Sequence, residues 1–155
     1  MADAQGRAGS TGKSFRIIHY TCLSNHVHMI VEAAGALALS RGTQGFAIRM
    51  AKRLNKWWGR KGRVFEDRFH DRVLRSPREV RAALRYVLLN ARRHGVRYAE
   101  RVDPYSSGRS FDGWSRRSRS LSPVFGPVVA AGTWLLRVGW RRFGLIRASE
   151  PRGSP

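Results

Sequence analysis

Residues 15–33 constrain the fold most. Two runs rich in apolar and β-branched residues, 15–23 and 26–33, are separated only by Ser24 and Asn25. Runs of that length joined by a short polar connection predict an antiparallel hairpin. Side chains alternate faces along a strand, so His26 and His28 point one way while Val27, Met29 and Val31 point the other. Two imidazoles about 7 Å apart on one face can converge on a single divalent cation. Taken alone, such a triplet is far more often ordinary packing than a metal site.

The rest of the chain supplies helices. Leu39 to Trp58 predicts a helix whose buried stripe is Ala47, Met50, Ala51, Leu54 and Trp58. Its opposite side carries Arg49, Lys52, Arg53, Lys56 and Arg60, and no acidic residue lies between Glu32 and Glu66. A row of this kind is commonly a solvated face; unbalanced as it is here, it reads as a surface that tracks phosphates. Gly59 and Gly62 bracket a turn, and Arg63 to Leu74 reads as a third strand with Phe65, Phe69 and Val73 on one face.

Ser76-Pro77-Arg78-Glu79 is a helix start, with a serine cap, proline at the first position and glutamate three residues after the cap. That helix should run to about Arg93 and stop at His94-Gly95, with Val80, Ala83, Leu84, Val87 and Ala91 as its core stripe. Tyr86 and Asn90, four apart, fall roughly 40° from each other around the helix and at the edge of the stripe. Residues 101–122 read as a basic irregular linker, and 123–147 as a basic helical extension centred on Pro127 to Gly144. Residues 1–13 and 148–155 read as disordered tails. The fold class is α+β.

The formal net charge of +20 calls for a polyanionic partner, nucleic acid before others. Cys22 is the only cysteine, which excludes a disulfide framework and a thiolate zinc cluster. Apolar stretches are too short to span a bilayer, and the first thirteen residues lack a signal-peptide core. The expectation is an intracellular protein with no membrane association. Read singly, Tyr86 is a packing residue, Asn90 an exposed helix position, Glu32 a solvated strand end, and His19, His70 and His94 are structural.

Jointly, several segments resemble the single-tyrosine HUH transposases of the insertion-sequence-200-like group, and within it the REP-associated tyrosine transposases. They are Asn25-His26-Val27-His28 with Met29-Ile30-Val31-Glu32, Gly62-Arg63-Val64-Phe65 leading to Arg68-Phe69-His70, and Arg85-Tyr86-Val87-Leu88-Leu89-Asn90. Ser106-Ser107 and Phe111-Asp112-Gly113-Trp114 look familial as well.

The resemblance implies that residues 14–100 form the catalytic domain. It implies that His26, His28 and Asn90 hold Mg²⁺ or Mn²⁺, and that Tyr86 attacks single-stranded or hairpin DNA to form a 5′-phosphotyrosine. Arg68 joins Arg49, Lys52, Arg53, Lys56 and Arg60 as a DNA-contacting residue. It further implies a cytoplasmic, nucleoid-associated protein, able to form a homodimer, on a ferredoxin-like core. The family's first strand and helix have no counterpart ahead of Phe15, so an incomplete sheet of three strands is expected, with an open edge beside the histidine strand. The alternative is a decayed or domesticated relative that binds DNA hairpins without cutting. A basic RNA-binding protein is the third reading, and it lacks the aromatic strand motif that such proteins use to stack bases.

Overall fold

The computed structural model describes residues 14–90, 102–115 and 128–150. The tail expected at 1–13, residues 151–155 of the tail expected at 148–155, the helix stop near His94, and residues 116–127 lie outside them. Two compact units result: residues 14–16 with 33–73, and residues 17–32 with the described part of 74–150. The class is α+β, with a two-stranded antiparallel sheet.

The hairpin forms where its sequence pattern places it. β1 is Phe15–Cys22 and β2 is Val27–Ala33. The Leu23 N–H donates to the His26 carbonyl at 2.9 Å, which closes the connection at Ser24-Asn25. Among the described residues β2 pairs with no strand but β1.

In the first unit, α1 spans Ala36–Trp57. Gly42 sits mid-helix, where glycine ordinarily costs about 1 kcal/mol relative to alanine. Its place is explained by Phe15: a Cβ at residue 42 would run into that ring. The expected buried stripe is weaker than predicted. Thr43 is the one buried side chain of α1; Ala47, Met50, Ala51 and Leu54 are half-buried, and Trp58 is exposed.

The helix ends in a Schellman turn. Gly59 has φ +63°, its N–H points to the Lys56 carbonyl, and the Arg60 N–H donates to the Asn55 carbonyl at 2.9 Å. That turn carries Trp58 off the packed face. Residues 63–74 form no strand, which corrects the third strand expected there. Phe69 and Val73 are exposed, and Glu66, Asp67, Arg68, His70, Asp71 and Arg72 leave the segment little apolar surface to bury.

The second unit is organised on α2, Pro77–Leu88. Ser76 Oγ accepts from the Glu79 N–H at 3.2 Å, and the Glu79 carboxylate accepts from the Ser76 N–H at 3.0 Å, so the expected capping box is complete. Ser76→Ala should lower stability by about 1 kcal/mol without altering the fold, read from chemical denaturation followed by circular dichroism. Val80, Leu84 and Val87 are buried and Ala83 half-buried, as the periodicity predicts. The helix stops at Leu88, short of the predicted Arg93.

Two regions depart from their sequence reading. Residues 102–115 are irregular but are not a linker: Val102, Phe111 and Trp114 enter the core beside Ile30, Leu84 and Trp140. Thr21 forms an antiparallel bridge with Ser106, and the Cys22 N–H donates to the Tyr105 carbonyl at 3.0 Å, so this segment covers the outer edge of β1. Buried Asp103 anchors it, accepting from Thr21 Oγ1 at 2.9 Å and from the Tyr105 N–H at 2.8 Å.

The long C-terminal helix is replaced by one turn, α3 (Trp134–Arg137), and a 3₁₀ turn (Gly139–Phe143). Gly144, at φ +84°, ends them. The end expected to be disordered packs up to Glu150: Ala148 is buried, and the Glu150 carboxylate pairs with Arg81 on α2 at 2.9 Å.

Candidate active site

The geometry of the hairpin's closed end brings the two histidines together. His26 stands just before β2 and His28 is its second residue, both half-buried. Their Nε2 atoms are 3.1 Å apart, with the rings nearly perpendicular. His26 Nδ1 lies 2.7 Å from Asn25 Oδ1. An amide oxygen only accepts, so Nδ1 carries the proton and the Nε2 lone pair of His26 is left facing His28. The two Nε2 atoms stand within hydrogen-bond distance of one another.

α2 supplies the next side chain. Tyr86 is half-buried on its last turn, and its ring meets the edge of His28 with centroids 5.1 Å apart. Asn90 differs from its expected place. It lies two residues beyond the end of α2 rather than on it, and it is 2% exposed instead of standing at the rim. Leu88, Leu89 and Asn90 are all buried. Neither polar atom of the Asn90 side chain has a hydrogen-bond partner among the described residues. A buried amide left this way carries a desolvation cost of about 1–3 kcal/mol.

The residues fit a divalent cation in part. Octahedral bonds of about 2.1 Å place neighbouring ligand atoms roughly 3 Å apart on one ion, close to the 3.1 Å separation of the histidine pair. Donation from His26 Nδ1 to Asn25 is the arrangement that metal-bound imidazoles commonly show. Asn90, with both amide atoms unpartnered among the described residues, makes no hydrogen bond to either histidine. Among the described residues no three His, Cys, Asp or Glu side chains are grouped to share an ion.

The basic residues belong to the first unit. Arg49, Lys52, Arg53 and Lys56 are exposed along α1, Arg60 is exposed just after it, and Arg68 is exposed in the irregular segment. His70 is exposed there too.

Two roles, of Glu32 and Asn25, escaped the sequence reading, and His19 proves structural as expected. Glu32 is not a solvated strand end: its carboxylate accepts from the Gly132 and Thr133 N–H groups and from Thr133 Oγ1, capping α3. His19 is paired with buried Ser107, Nδ1 to Oγ at 3.1 Å, and burial pulls its pKa down to about 4. Asn25 orients His26, a role that its position in the Asn25-His26-Val27-His28 run could have signalled. Comparison with protein-family models, curated proteins and solved structures finds no match to this chain. Among the described residues no helix is long and apolar enough to cross a membrane.

Proposed function

We propose that this chain cleaves and rejoins single-stranded DNA through Tyr86, as the resemblance to single-tyrosine HUH transposases implies, in transposition or repeat mobilisation. The observation that carries the reading is the His26–His28 nitrogen pair with the Tyr86 ring packed against it. Neither a lone histidine pair nor a lone tyrosine would support it.

In this reading Tyr86 Oη attacks phosphorus. The new P–Oη bond replaces the P–O3′ bond, the phenol proton leaves to solvent, and the departing 3′ oxygen is protonated. The 5′ end stays on the protein as a phosphotyrosine. Because that ester conserves the phosphodiester, attack by another 3′-hydroxyl reverses the step and joins strands without ATP. Tyrosine phenols ordinarily titrate near 10, so the attacking oxygen needs help at neutral pH. Mg²⁺ or Mn²⁺ held by His26 and His28 would supply electrophilic stabilisation at the phosphoryl oxygens. Asn25 keeps His26 in the tautomer that offers Nε2, and α2 fixes Tyr86 beside His28. The same reading makes the hairpin and α2 parts of a ferredoxin-like core.

A second reading, a hairpin-binding protein without cleavage, is favoured by one observation: Asn90 is buried rather than open to the site. One assay separates the two. Given hairpin-bearing single-stranded DNA and Mn²⁺, the protein should release a product with a free 3′-hydroxyl. His26→Ala and His28→Ala should each reduce cleavage by at least about 100-fold, while DNA binding in chelator persists. Tight binding with no cleavage by the wild type would establish the second reading.

A further inference from the structure

The tip of α1 holds the most exposed tryptophan among the described residues. Trp57 is 83% exposed and Trp58 55% exposed, side by side at the helix end. Two adjacent exposed indoles form a contiguous apolar patch, the kind of surface that marks an interaction site. This tip is built rather than frayed. The Schellman turn at Gly59 fixes it, Asn55 Nδ2 donates to the Gly62 carbonyl at 2.7 Å, and Asn55 Oδ1 accepts from Arg60 Nε at 3.2 Å. The Arg60 guanidinium stands 5.1 Å over the Trp58 ring. Arg53 lies one turn before Trp57, and Lys56 immediately precedes it.

We propose that the tip of α1 is a base-stacking platform for single-stranded DNA. Trp57 and Trp58 take the faces of unpaired bases, and Arg53, Lys56 and Arg60 hold the adjoining phosphates. Charge decides the occupant. No carboxylate occurs from residue 33 to 65, so a second copy of this +20 chain would bring like charge to the same surface. A polyanion with flat apolar faces answers both the tryptophans and the cations, which is the combination that non-specific single-strand binding uses. The choice of DNA as the polymer rests on the function proposed above; the platform itself does not.

The test uses the full chain, a short oligothymidylate that cannot form a hairpin, and chelator to exclude cleavage. Binding is followed by fluorescence anisotropy over a salt series. Replacing both tryptophans by alanine should weaken binding about ten-fold or more and leave the salt slope unchanged. Phenylalanine at both positions should retain most of the affinity. Arg53→Gln and Lys56→Gln should each lower the salt slope by about 0.7.

Both side chains are exposed, so the melting temperature of the alanine variant should match the wild type. Should the double variant unfold, Trp57→Ala alone carries the same test. Unchanged affinity without the tryptophans overturns the platform, as does a variant that loses self-association or binding to anionic vesicles while still binding DNA normally. In a separate reaction with Mn²⁺ and hairpin-bearing single-stranded DNA, absence of a covalent adduct while the platform stands would remove the catalytic reading alone. Cleavage with tryptophan-independent binding would remove the platform alone.

Discussion

Taking this protein from pH 6.5 to pH 4 should cost on the order of 3 kcal/mol of folding stability through His19 alone. Its ring sits between β1 and the 102–115 segment, bonded to Ser107 Oγ at 3.1 Å and edge-on to Phe111. Burial lowers its pKa from 6.5 to about 4, and attraction to Asp112 offsets only part of that shift.

The charged form of histidine is the protonated one, so the unfolded chain takes up the proton first as pH falls. Between 6.5 and 4 the unfolded state binds more protons, and stability falls with pH through that window. Above 6.5 the contribution is complete and constant. Denaturation midpoints measured across the window should show this slope, and His19→Gln, which cannot titrate, should flatten it. A wild-type curve with no slope between pH 6.5 and 4 would mean that His19 is not buried as described.

The parts of the fold that were readable in the sequence are those set by local rules. The hairpin follows from alternating apolar residues around Ser24-Asn25, and the start of α2 from Ser76, Pro77 and Glu79. The end of α1 follows from Gly59, which supplies the left-handed conformation. The proximity of His26 and His28 follows from strand geometry, since side chains two apart share a face. Tyr86 comes to His28 because α2 packs its apolar stripe under Ile30 of β2.

What was not readable depended on tertiary partners. Residues 63–74 contain spaced aromatics, but a strand needs an edge to pair with and a face to bury. Residues 102–115 look like a basic linker because their apolar members, Val102, Phe111 and Trp114, have no period. Their burial arises from Asp103 and Ser107 bonding to β1, a contact across some eighty residues. The C-terminal helix was over-read because arginines and leucines favour helix, whereas Gly139 and Gly144 and the burial of Trp140 impose two short turns. Asn90 falls at a rim only if α2 continues, whereas the helix ends two residues before it and the side chain is buried. The exposure of Trp57 and Trp58 had no signal in hydrophobicity, which places tryptophan in cores.

The central claim is that Tyr86 is the nucleophile. Its ring is held against His28, on the last turn of a capped helix, and it remains half-exposed. The direct measurement is denaturing electrophoresis of the protein after incubation with hairpin-bearing single-stranded DNA, end-labelled so that the label stays with the 5′ phosphate, and Mn²⁺. Mass spectrometry then maps the modified peptide. The wild type should give a denaturant-resistant adduct carried on Tyr86. Tyr86→Phe removes only the hydroxyl, so it should keep the melting temperature and DNA affinity and lose the adduct entirely. An adduct that persists in Tyr86→Phe, or one that maps to Tyr20 or Tyr105, would contradict the assignment.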